Sequence, residues 1–173
     1  MDAISNVKLR MGDGTVLALE RHGNGPTALL SLGVHIPVFS GYTMLLLHPR
    51  GYGNSEGMWI AAEHMRDVQQ LIQHFKEEFS TLYVIAAGEQ ARLLLLHEME
   101  DGIFPDGMVL LQPESVERLH VQTPAVIFTN SPIHLWNVTV RSWPHVSLER
   151  AHVLRQALQA LDKAESPIRF RAT

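Results

Sequence analysis

The chain has no cysteine, which excludes disulfide bonds, thiolate nucleophiles and thiolate-zinc sites together. It has no basic block either. Lys and Arg number 14 against 18 Asp and Glu, for a formal net charge of −4, so nucleic acid is not an expected partner. No apolar run approaches the roughly 18 residues of a membrane span. The first residues, Met1-Asp2-Ala3-Ile4-Ser5-Asn6, show neither the basic nor the apolar region of a signal peptide. These absences set the expectation of a soluble, cytoplasmic protein without a membrane association. No repeat, low-complexity tract or linker divides the 173 residues, of which 46% are hydrophobic. A single domain over 1–173 with a sizeable core is expected.

What is present is a regular alternation of strand and helix signals. Asn6 to Arg10 and Thr15 to Glu20 flank Gly12-Asp13-Gly14, which reads as an N-terminal β-hairpin. Thr27 to Leu32 and Tyr42 to Leu47 read as buried strands, with 34–41 between them too short for a helix. Met65, Val68, Leu71, Ile72 and Phe75 recur at helical spacing within Trp59 to Phe79, an amphipathic face suited to packing on a sheet. Leu82 to Ala87 is an apolar strand that runs through Gly88 into the helix formers of Ala91 to Leu96. Further strands are expected at Gly107 to Pro113, at Thr123 to Thr129 with Pro124 near its start, and at Asn137 to Arg141; a last helix begins at Ser147. Glu114 to Gln122 leaves room for a short helix at most. The fold class implied is α/β, with a mostly parallel central sheet, helices on both faces and the hairpin at its start.

Two stretches carry a resemblance. Gly88-Glu89-Gln90-Ala91-Arg92, between strand and helix, resembles the G-x-S-x-G nucleophile elbow of the α/β-hydrolase superfamily. His48-Pro49-Arg50-Gly51-Tyr52-Gly53-Asn54-Ser55 is similar to the D-x-R-G-x-G-x-S loop of the same superfamily, with Arg50, Gly51, Gly53 and Ser55 matching and His48 in place of the aspartate. The resemblance implies an α/β-hydrolase-like domain without a cap and a central position for the strand that ends at Ala87. It also places Gln90 at the nucleophile position, where a carboxamide has no nucleophilic chemistry, and Arg92 at the second glycine.

The same resemblance assigns the remaining site positions. His145, in Trp143-Pro144-His145-Val146 after the last strand, stands where the catalytic base stands, as a remnant base. Thr129-Asn130-Ser131-Pro132 holds no carboxylate, which leaves Glu114, one strand earlier, as the possible acid. The backbone N–H groups of Ala91 and Val34 take the oxyanion positions, and His35 lies next to Val34. Glu89 has a simpler reading as a carboxylate favoured at a helix N-terminus. His35, His48 and His145 could bring three imidazoles to one cleft, a donor set that suits a metal. Their spacing matches no metal motif, so neither a metal nor another cofactor is expected. The implied function is a catalytically degenerate hydrolase-like protein that binds a small molecule or a protein partner. The alternative is an active esterase-like enzyme using another nucleophile, with Ser31, Ser55 and Ser131 as candidates.

Overall fold

The computed structural model describes residues 4–97, 104–113, 119–128, 135–141 and 147–163. Among them the chain forms strands β1 (Ser5–Arg10), β2 (Val16–His22), β3 (Thr27–Leu32) and β4 (Tyr42–His48), then helix α1 (Ala61–Glu78) and β5 (Thr81–Ala87). Helix α2 (Gly88–His97), β6 (Gly107–Leu111), β7 (Leu119–Phe128), β8 (Leu135–Arg141) and α3 (Ser147–Lys163) follow. The eight strands make one sheet in the order β1-β2-β4-β3-β5-β6-β7-β8. β2 runs antiparallel to both β1 and β4, and every pairing from β4 to β8 is parallel. β5 therefore lies inside the sheet between β3 and β6, as the resemblance implies.

Side-chain alternation along the strands divides the core in two. Ala28, Leu30 and Leu32 of β3 and Leu82, Val84 and Ala86 of β5 face the layer formed by α1 and α2. Val68, Leu71, Ile72 and Phe75 of α1 and Ala91, Leu94 and Leu95 of α2 fill that layer. The intervening residues Leu29, Tyr83 and Ile85 face α3, which contributes Leu154, Ala157, Leu158 and Leu161. Asp162 anchors α3 by accepting hydrogen bonds from the Tyr42 and Tyr83 hydroxyls at 2.7 and 2.8 Å. No helix among the described residues is long and apolar enough to cross a membrane.

Two connections differ from the usual α/β pattern. β3 and β4 are parallel neighbours, yet residues 34–39 between them contain no helix. The strap instead inserts Ile36 and Phe39 into the α3-side core. β7 starts at Leu119, so the last four residues of the stretch read as a short helix at most are strand, while 114–118 lie outside the described residues. Pro124 falls inside β7 and not at its start. The pairing with β8 shifts register between His120 and Ala125, and an irregularity of this kind accommodates a residue that cannot donate to the ladder.

Candidate functional site

The glycine-rich segment after β4 is held by its own backbone and by β2. The Ser55 hydroxyl donates to the His48 carbonyl and accepts from the Ala18 N–H at 2.8 Å. The Glu56 N–H donates to the Val16 carbonyl at 2.9 Å, and the Glu56 carboxylate accepts from the Val16 N–H at 3.0 Å. Gly53 has φ +53°, and a Cβ there would collide with the His48 ring, so only glycine fits. His48 accepts the Asn54 N–H at Nδ1 (3.3 Å) and faces a Glu20 carboxylate oxygen at Nε2 (3.0 Å), an arrangement that puts the ring proton on Nε2. Burial pushes the Glu20 carboxyl up, but hydrogen bonds from His22 and His48 outweigh it and leave the group below its ordinary value.

Arg50 fastens this loop to the helical layer. Its guanidinium is buried and donates in bidentate fashion to Asp67 of α1, Nε to Oδ2 and Nη2 to Oδ1, both at 2.7 Å. Nη1 reaches Asp13 in the hairpin turn at 2.6 Å and Thr15 at 3.0 Å. The loop, the hairpin and α1 thus share one ion-pair network, and Tyr52 and Trp59 emerge from it.

A cleft of about 430 Å³ opens at the C-terminal end of the parallel strands, lined among others by Gly33, Pro49, Tyr52, Trp59, Glu89 and Gln90. Its volume lies within the range of small-molecule pockets. Tyr52 and Trp59 meet edge to face with ring centroids 6.4 Å apart. The apolar character continues outward: Met58 and Ile60, on either side of Trp59, are exposed. Behind the cleft lies His64 of α1. Its ring sits 4.5 Å from that of Trp59, and its Nε2 lies 3.0 Å from Gln90 Oε1. Burial pushes the His64 imidazole below its ordinary value, while the Gln90 hydrogen bond and the Asp67 charge pull it back only in part.

The turn from β5 into α2 falls at Gly88, as the sequence implies. The left-handed backbone belongs to Gly88, at φ +56°, directly after the strand; Gln112 is the only other than glycine with positive φ among the described residues. Gln90, where the elbow serine was expected, lies in the first turn of α2 with its side chain against Gly33 and His64. Ala91 is fully buried in the α1–α2 core. Val34 packs against the α3-side core, and its carbonyl accepts from the Ser31 hydroxyl. His35 lines a separate cavity of about 250 Å³ with His22, Ser31 and Met44. Of the expected set, then, Gln90 lines the cleft and Val34, His35 and Ala91 do not. His145, Glu114 and Ser131 lie outside the described residues. No group of three or more metal-ligating side chains is assembled among the described residues.

Sequence reasoning takes His64 for an exposed or core-edge histidine without a metal role, and it passes over Asp67. The signal was present: His64, Val68, Leu71 and Phe75 fall at i, i+4, i+7 and i+11, which puts the histidine on the buried stripe of α1.

No family model matches the chain, and no curated protein does either. Solved structures do. The esterase Pf2001 of Pyrococcus furiosus superposes with a TM-score of 0.64 at 13% identity, over 93% of this chain and 91% of that one. The esterase EaEST of Exiguobacterium antarcticum (TM-score 0.53, 17% identity) matches 64% of this chain and 46% of its own. The α/β hydrolase GrgF of Penicillium sp. sh18 (TM-score 0.52, 20% identity) does so over the same shares. This chain therefore corresponds to about half the length of the latter two and to nearly all of the first.

Proposed function

From a chain that carries the α/β-hydrolase fold, we propose a catalytically degenerate protein that keeps the hydrolase cleft as a small-molecule binding site. One observation carries this reading: the strained turn, where the fold's nucleophile sits, is occupied by Gly88 at φ +56°. That geometry supports reading Gly88, which has no side chain, as the nucleophile position in place of Gln90. A glycine also removes the strain that a serine bears in this conformation. The other serine candidates that the structure describes are committed elsewhere: Ser31 donates to the Val34 carbonyl, and Ser55 bonds both His48 and Ala18. His145 and Glu114 keep their assignments as remnant base and possible acid on sequence position alone.

The test compares two restorations with the unmodified chain. The natural protein should hydrolyse p-nitrophenyl acetate at the background rate and take no label from a fluorophosphonate. Gly88→Ser should fold at a cost of about 1 kcal/mol for the left-handed backbone, and gain weak esterase activity that His145→Ala removes. Gln90→Ser should gain none. Covalent labelling of a single serine in the unmodified protein would sink the degenerate reading. Rescue by Gln90→Ser and not by Gly88→Ser would restore the original placement of the elbow.

A further inference from the structure

His64 has one nitrogen in use and one without a partner. Its Nε2 meets Gln90 Oε1 at 3.0 Å, while its buried Nδ1 has no hydrogen bond. A buried bare acceptor is tolerated more often than a buried orphan N–H, so the proton belongs on Nε2 and is donated to Gln90 Oε1. That bond fixes the carboxamide, because its oxygen must face the helix and its NH₂ must face the other way. The NH₂ lies against Gly33, whose missing Cβ leaves room for it, and makes no hydrogen bond to a described residue. The same imidazole backs Trp59, so one buried ring supports both the polar and the aromatic wall of the cleft.

We propose that His64 is a positioning residue that presents the Gln90 carboxamide to the cleft with its N–H donors outward. The cleft then selects a neutral hydrogen-bond acceptor carried on an apolar body. This rests on the reading of the cleft as a binding site. The apolar body is taken by Tyr52 and Trp59. Neutrality follows from charge: the Glu89 carboxylate lines the cleft beside Gln90, and the loop's own cation, Arg50, is engaged by Asp67 and Asp13. An anionic acceptor meets repulsion from Glu89 there, and none of the described residues lining the cleft is a cation that offsets it.

Acetophenone, ethylbenzene and benzoate form a matched set of probes, titrated into the full chain and followed by backbone amide NMR. Acetophenone is expected to bind about tenfold more tightly than ethylbenzene, the worth of one net hydrogen bond, and more tightly than benzoate. Gln90→Leu should bring the ketone-to-hydrocarbon ratio near one. His64→Phe keeps a ring against Trp59 and leaves Gln90 in place, and it should collapse the ratio in the same way; a purely structural histidine would leave the ratio unchanged. Nitrogen NMR of the imidazole should find the proton on Nε2. A ratio near one in the unmodified protein, an unchanged ratio in His64→Phe, or a proton on Nδ1 would each overturn the inference. If His64→Phe fails to fold, Gln90→Leu and the tautomer decide. Equal affinity for all three probes leaves the binding reading standing and sinks only the inference, whereas shifts from none of them sink both.

Discussion

Asp67 and His64 lie one turn apart on the buried face of α1, and their polar atoms are treated in opposite ways. Both Asp67 oxygens are taken by the Arg50 guanidinium, which also holds Asp13 and Thr15. His64 has one nitrogen bonded to a cleft side chain and the other unpartnered. A buried network that satisfies its members fixes a loop in place. A buried group left half-satisfied calls for another explanation, and here it borders the cleft. The first region is architecture, and the second is where the fold forgoes stability beside the cleft.

The largest effect that separates the two regions is expected from Asp67→Ala. Removing one partner strands a buried guanidinium, which costs about 3–5 kcal/mol and should appear as a lowered urea midpoint. A loss under about 1 kcal/mol would mean that Asp13 alone satisfies Arg50. Gly33→Ala comes next. Its φ of +71° disfavours a side chain, and the new Cβ meets the Gln90 amide nitrogen. A loss of about 1–2 kcal/mol is expected from the backbone alone, with displaced Gln90 signals in the NMR spectrum.

The pH dependence distinguishes the regions by window. Burial lowers the His64 pKa from 6.5, so the unfolded chain takes up a proton that the folded chain refuses. Stability from this site is complete above about pH 6.5 and declines as pH falls below it. The Arg50 hydrogen bond, followed by one from the Thr15 N–H, holds the Asp13 carboxyl well below its usual value, so its contribution persists until the pH drops through the carboxylate range. Urea midpoints between about pH 7.5 and 5.5 should fall in the unmodified protein and stay flatter in His64→Phe, while Asp13→Asn should alter the profile only below about pH 4. The smallest effect is on stability itself. At neutral pH His64→Phe should stay within about 1 kcal/mol of the parent, because it removes an unsatisfied atom along with a hydrogen bond.

The periodic signals of strand and helix were legible in the sequence, and so was the interior place of β5. What escaped reading depended on backbone angles and on distant pairing. Gly88 is legible as the turn after β5, but its left-handed φ, on which the proposed position of the elbow rests, is not. Arg50 was recognisable in its loop. Its partner Asp67, 17 residues on, had no local signature that distinguished it from a solvated helix carboxylate. Pro124 read as a strand start because proline seldom lies within a ladder, and the register shift that admits it involves residues on two strands.

The helix-free strap between β3 and β4 has a consequence in the language of amide exchange. Residues 34–39 have no ladder or helix partners, while β3 is paired on both sides, with β4 and with β5. The strap's amide hydrogens should exchange through small local openings, and those of Leu29 to Leu32 only through unfolding of the whole domain. The pocket of about 250 Å³ beside it is lined by His35 and Ile36 of the strap and by Ser31 and Met44 of the two strands, so one of its walls is expected to open locally while the other holds until the domain unfolds.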